Sequence, residues 1–351
     1  MARAKRQHFV PKFHLAGFTP QARELSESVW VYDKATDTIA RRGLKDTAVI
    51  ANYYTVPTGD GPVDDLERGL ADVEALAATA VRRLAAAPEG LYALAEDERA
   101  ALSGYVGLLH VRVPATRKGN EALAAFTRYL TLDMEFAMAE GFPERARRRG
   151  LTGSDEDLES LRLRMLKQLR DGDVTIEVPE TTSLSTLKMG LEDIAPILFG
   201  MPWILLKRTR FPFFVMGDCP VTLWPATDHP RDLGVGFLSQ GAEVAVPFDS
   251  QTMLLAKHGG SGGMVVNPDH PPGFDQQQRL DWIYTYNYRQ WVTAERFVYA
   301  RTQADLAAMC MFLTEAQRTQ RGLSLGLGSV GGQWGAYGER AVNTVLRAKT
   351  D

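Results

Sequence analysis

The sequence predicts an α+β fold, and three observations carry that expectation. β-Branched and aromatic runs flank a polar turn near the N-terminus. Residues 64–171 repeat apolar positions at steps of three and four. Strand-like runs then gather between 173 and 256, and helical patterns follow. Elements that come in blocks, rather than in strict alternation, argue against a doubly wound sheet.

Residues 1–60 read as extended. Val29-Trp30-Val31-Tyr32 and Thr38-Ile39-Ala40 surround Asp33-Lys34-Ala35-Thr36-Asp37, which predicts a hairpin. Asp64 with Glu67 resembles a capping box, with Asp in the usual Ser/Thr role. Leu66, Leu70, Val73, Ala77, Ala80 and Leu84 then form the stripe of an amphipathic helix. A second helix is expected from Glu96 to Val113, ending near Pro114. A third spans Asn120 to Glu140, and a fourth starts at Ser154.

Val174-Thr175-Ile176-Glu177-Val178 alternates as a strand, and Ser183 to Phe199 reads as helix. Four strands are predicted at 203–206, 213–216, 243–246 and 253–256. Helices resume at Gln276 to Ala300 and at Asp305 to Thr319. The expected layout is an N-terminal extended segment and hairpin, a helical middle, a small mostly antiparallel sheet and C-terminal helices. It reads as one domain over 1–320, with helical part 64–171 and sheet part 173–300 sharing a core, and a Gly-rich tail over 321–351.

Composition narrows the class. The 351 residues are 45% hydrophobic and 24% charged, ordinary for a globular chain that can bury a full core. Forty basic against forty-three acidic residues leave a net charge of −3, so a nucleic-acid partner would need a local patch. The densest is Arg145, Arg147, Arg148 and Arg149, a solvated run or a phosphate contact. Cys219 and Cys310 form no CxxC, which predicts neither a disulfide framework nor structural zinc. No apolar h-region follows Arg6, and no apolar stretch reaches the roughly 20 residues of a membrane helix. A cytoplasmic protein with no membrane association is expected.

Gly326 to Gly331 matches GxGxxG, but no strand-then-helix context surrounds it. No nucleotide cofactor is expected. There is no GxSxG, HExxH, P-loop or calcium loop. A divalent metal is possible but has no positive signal, because only His8 and His14 of the six histidines lie close in sequence and their spacing dictates no shared site.

The opening Gln7-His8-Phe9-Val10-Pro11-Lys12-Phe13-His14-Leu15-Ala16-Gly17-Phe18 is unusual. It resembles the start of the domain of unknown function 4238 family, with His14 where that family usually has Tyr. Val29 to Asp33 is similar to its first strand, and Val73-Glu74 to its Ile-Glu pair. Arg112-Val113-Pro114 resembles its Arg-Thr-Pro. Trp203 to Leu206, Phe213 to Val221, Val246-Pro247-Phe248, Asn287 and Arg296-Phe297-Val298-Tyr299 follow in the family's order. Gly217 replaces the family's Ser and Cys219 its Asn. The resemblance implies no settled activity.

Within these segments the candidate catalytic residues are His8, Arg112 and Asp218. His8 could serve as acid or base, or fasten the N-terminal segment. Arg112 lies in an apolar stretch, so it either pairs with Glu74 or faces an anionic substrate. Asp218 could bind a metal, act as base, orient His8, or close an Asx turn before Pro220. Gln7, Glu74, Asn287 and Arg296 are the candidate substrate-binding residues. Asn287 and Arg296, expected on one helix about 2.5 turns apart, would point to opposite faces. Cys219 could be a nucleophile, but it stands where the family-like residue is Asn. Two readings result. One is a hydrolase or nuclease acting on a phosphate-containing substrate by acid–base chemistry. The other is a binding or regulatory protein whose polar motifs are structural.

Overall fold

A computed structural model describes residues 6–20, 27–54, 65–88, 90–91, 94–178, 180–226, 235–258, 264–266 and 276–322. Asp64, His229, His270, the GxGxxG match and the Gly-rich tail beyond 322 lie outside the described residues. The chain divides into two compact units, Met1–Thr116 with Leu184–Ser324, and Arg117–Ser183 with Leu325–Asp351.

In the first unit, β1 (Arg6–His8) pairs antiparallel with β4 (Val49–Ala51). The stretch between them is not all extended. Pro11, at φ −58°, leads into a short helix α1 (Lys12–Ala16), which Leu15 and Phe18 anchor in the core. β2 (Ser28–Asp33) and β3 (Thr38–Gly43) form the expected hairpin. Asp37 takes a left-handed φ of 50° in its turn, a conformation Asp tolerates.

The helix α2 (Asp65–Ala86) is followed by a short strand β5 (Gly90–Leu91) and by α3 (Glu96–Arg112). From Leu102 to Val111 nearly every side chain of α3 is buried, as expected of a helix that is apolar all round. Leu70, Ala77 and Leu84 of α2 and Leu102 and Leu109 of α3 share one core with Leu205, Val244, Val246 and Leu254. The helix α7 (Glu180–Met189) passes through a π-turn at Gly190–Ile194 into α8 (Ala195–Gly200). A Cβ on Gly107 would lie 2.2 Å from the Gly190 carbonyl oxygen, so the contact between these backbones requires glycine.

Two sheets complete this unit. One runs β5-β11-β6-β10-β9-β8, with β6 (Trp203–Lys207), β8 (Thr222–Trp224), β9 (Glu243–Asp249), β10 (Thr252–Lys257) and β11 (Met264–Val266). Only the β11–β6 pairing is parallel in it. The other runs β3-β2-β12-β7, with β7 (Met216–Gly217) and β12 (Phe297–Ala300). The helices α9 (Gln276–Thr293), α10 (Gln303–Phe312) and α11 (Glu315–Thr319) end the described chain.

In the second unit, the rest of α4 (Pro114–Ala137) precedes α5 (Phe142–Arg148) and α6 (Asp155–Asp171). Ser154 caps α6 and exchanges hydrogen bonds with Asp157.

Three further expectations are corrected. Val174–Val178 forms no strand. Val174 and Ile176 instead pack against Tyr129 and Leu169 of the helices. The helix predicted over 276–300 stops at Thr293, and its last residues form β12, whose β-branched and aromatic side chains pair with β2 and β7. Asn287 and Arg296 therefore do not share a helix. The strand expected at 213–216 shrinks to Met216–Gly217, because helix side chains take the backbone bonds of Phe213 and Val215.

Candidate functional site

Arg112 is the last residue of α3, where the burial of that helix carries its guanidinium inward. Nη1 donates to Glu74 at 2.7 Å, Nε to the Tyr54 hydroxyl at 2.9 Å and Nη2 to the His8 carbonyl at 2.7 Å. Glu74 thus pairs with Arg112, as one reading of the sequence expected. Tyr53 donates to the Arg112 carbonyl, and buried Gln7 accepts the Tyr54 N–H at 2.7 Å. Burial opposes the charge on Arg112, but Tyr54 and Glu74 outweigh it and hold the guanidinium ionised.

The His8 ring lies beside this cluster. Its Nε2 meets the Leu44 carbonyl at 3.1 Å, and since a carbonyl only accepts, Nε2 carries the proton. Burial lowers its pKa, against the pull of that hydrogen bond.

Asp218 follows β7 and is buried. Its carboxylate accepts the backbone N–H groups of Glu295, Arg296 and Phe297 at 2.7, 2.9 and 2.9 Å. Burial nevertheless raises its pKa, with the three N–H groups and the Lys34 charge pulling the other way. Asn287 is also buried, accepting from Val215 N–H at 3.0 Å and donating to the Phe213 carbonyl at 2.9 Å. One helical turn on, Gln290 accepts from Gly217 N–H and donates to the Pro220 carbonyl. Two amides three residues apart on α9 therefore replace a neighbouring strand for residues 213–220.

A pocket of about 360 Å³ opens beside Asp218. Phe9, Val31, Ile50 and Pro114 make apolar wall, and Asp218 with Cys219 line it from the segment after β7. Arg296, Phe297 and Tyr299 line it from the start of β12, and Arg42 from β3. Arg296 donates twice to Asp33, at 3.0 Å each, and Arg42 once at 3.2 Å. Both guanidinium groups sit over the Phe297 ring, at 4.6 and 4.8 Å. Burial pushes the Cys219 thiol well up, so it stays protonated near neutral pH. The Tyr299 ring is fully buried and its hydroxyl has no hydrogen-bond partner.

The structure therefore separates the seven candidates. Gln7, His8, Glu74 and Arg112 gather around Tyr54. Asp218 and Arg296 line the pocket, whose lining includes neither His8 nor Arg112. Asn287 holds the segment that leads to Asp218.

A family model described as Protein of unknown function (DUF4238) matches residues 6–304. The chain belongs to that family. No curated protein and no solved structure matches it. Five of the segments that carry the resemblance to DUF4238 meet at the pocket, through Phe9, Val31, Pro114, Asp218 with Cys219, and Arg296 with Phe297 and Tyr299. Of the departures from the family-like pattern, Cys219 lines the pocket and Gly217 lies two residues before it.

Sequence reasoning passed over Tyr54, Gln290, Asp33 and Tyr299. The three-residue spacing of Asn287 and Gln290 was the available signal for one of them. It also left His14 without a role. That ring is buried, its Nε2 meets the Pro247 carbonyl at 2.6 Å and its Nδ1 the Tyr105 hydroxyl at 2.6 Å. In the arginine run, Arg147 pairs with Asp155 and Arg149 with Glu135, while Arg145 donates to the carbonyls of Met138 and Glu140. Among the described residues, no three His, Cys, Asp or Glu side chains converge as metal ligands, and no helix is long and apolar enough to cross a membrane.

Proposed function

We propose that this protein is a binding module, and that it holds a small molecule in the pocket beside Asp218. The observation that carries this reading is the convergence of five family-like segments on one concavity, within a fold whose buried polar motif residues bond mainly to backbone. Pockets of this size with apolar walls and a few placed polar groups are the usual form of a small-molecule site. Arg112, Asn287 and Asp218 then serve to hold the walls.

The test is a ligand-observed NMR screen of a fragment library against the full chain. Ala115, half-buried in the pocket wall, supplies the control. Ala115→Trp would fill the space, so pocket ligands bind the wild type and are lost from the variant. A library without hits, or with hits indifferent to Ala115→Trp, refutes the reading.

A second reading is a hydrolase or nuclease acting on a phosphate-containing substrate, with His8 as acid/base, Arg112 as charge stabiliser and Asp218 as orienter or metal ligand. It draws support from the His8 ring lying within electrostatic reach of both Arg112 and Glu74. It is the weaker reading, because Arg112 spends its donors on Glu74, Tyr54 and the His8 carbonyl. Cleavage of single-stranded DNA, RNA or bis-p-nitrophenyl phosphate, with and without divalent metal and abolished by His8→Ala, would establish it.

A further inference from the structure

We propose that the pocket takes a small organic acid, a monoanion whose carboxylate meets Arg42 and Arg296 and whose apolar body reaches toward Tyr299. This rests on the binding reading above and adds the class of ligand.

The charge argument starts at Phe297. Two guanidinium groups are stacked over its ring, which is an unfavourable pairing unless anions compensate. One carboxylate, Asp33, serves both. Asp46 and Asp218, which line the pocket, have their own partners. Asp46 pairs with Arg6 at 2.7 Å. Asp218 turns to three backbone N–H groups and lies within electrostatic reach of Lys34. Glu295 places its carboxylate beside Gly322. Arg42, Arg296 and Asp33 by themselves sum to one positive charge. Arg42 gives Asp33 a single N–H, so its remaining donors can form a planar fork toward a carboxylate.

The second observation is independent of charge. The Tyr299 hydroxyl is a buried polar group with no partner, although Tyr299 lines the pocket. An orphaned hydroxyl is costly unless something meets it. Burial holds it protonated, so it can donate a hydrogen bond to a ligand oxygen that reaches it. Phe9, Val31, Ile50 and Pro114 also line the pocket, and such walls suit a short hydrocarbon or an aromatic ring.

The test is calorimetric titration of the full chain at pH 7 with 4-hydroxybenzoate, 4-hydroxybenzamide and benzoate. The acid is expected to bind at least about tenfold more tightly than its neutral amide. Arg42→Gln, at a half-exposed edge-strand site where Asp33 keeps Arg296, should bring acid and amide to within about twofold. Tyr299→Phe should erase the advantage of 4-hydroxybenzoate over benzoate and leave benzoate binding unchanged. Equal affinity of acid and amide, both lost in Ala115→Trp, overturns the acid class and leaves the pocket reading standing. Binding that survives Ala115→Trp places the acid elsewhere and overturns both. No binding of any of the three at millimolar concentration overturns the acid class, while the fragment screen still decides the pocket.

Discussion

Gly217 faces Ala294 so closely that a Cβ built on the glycine would lie 2.9 Å from the alanine Cβ and 2.7 Å from the Gln290 carbonyl oxygen. That approach lets Gln290 reach the Gly217 N–H and lets the end of α9 rest on the strand that leads to Asp218. The family-like Ser at this position would not fit the present backbone.

Gly217→Ser is accordingly expected to cost about 1–3 kcal/mol through overpacking. Ala294→Gly in the same chain should recover part of that loss, because it removes one of the two clashes. Urea unfolding of both single variants and the double variant measures the coupling. Additive effects would show that the two residues do not oppose each other.

Arg112 is nearly inaccessible and satisfies Glu74, Tyr54 and the His8 carbonyl at once. Removing one member of such a buried pair leaves the other groups stranded. Arg112→Met should lower stability by about 3–5 kcal/mol in a denaturant titration. A loss under about 1 kcal/mol would mean the cluster does not hold β1 to α2 and α3.

Burial lowers the His14 pKa from 6.5 to about 4, against the hydrogen bond to Pro247. The unfolded chain then holds more protons between those values than the folded one. Stability therefore rises with pH through this window and is lost as pH falls from 6.5 toward 4. The fall corresponds to about 3 kcal/mol below pH 4. His110, half-buried and drawn down to about 4 by desolvation, acts with the same sign. Chemical denaturation at pH 4, 5, 6 and 7 should show the slope, and His14→Gln should make it shallower. An unchanged slope in that variant would assign the pH dependence to His110 and the acids.

Lys34 is buried and donates to the carbonyls of Trp291, Ala294 and Gln320 at 2.5, 2.6 and 2.6 Å. It ties the end of α9 to the segment after α11, where Gly322 N–H also reaches the Ala294 carbonyl. Burial brings its pKa down to about 8, with the Asp218 charge opposing. Lys34→Met strands these carbonyls and should cost about 1–3 kcal/mol. Hydrogen exchange of the Gly322 amide should accelerate before that of the β12 amides. Equal protection in wild type and variant would remove the lysine from this role.

The fold class was legible because it depends on local periodicity. The hairpin at 28–43, the helices α2, α3 and α6, and the strands β6, β9 and β10 each carry their own pattern of apolar positions. β12 was misread because Phe297-Val298-Tyr299-Ala300 follows a helix without a proline or a cluster of turn residues, and its partners are remote in sequence. Val174–Val178 was misread in the opposite way. Its alternation is real, but it meets helices and no strand edge.

The same division holds at the candidate site. The sequence marked Arg112 as a charge in an apolar helix and offered Glu74 or an anionic substrate as its partner, and the structure pairs it with Glu74, one helix away. Which backbone groups Asp218 serves depends on residues 295–297, brought beside it only by the pairing of β7 with β12. The stacking of Arg42 and Arg296 over Phe297 needs strands from both ends of the chain in one sheet. The α+β class, the main helices and strands, and the family are written in short-range pattern and motif order. That Asp218 and Arg296 line a pocket while His8 and Arg112 bond elsewhere depends on the folded arrangement. Contacts between distant segments are set by sheet pairing and core packing, and no local spacing encodes them.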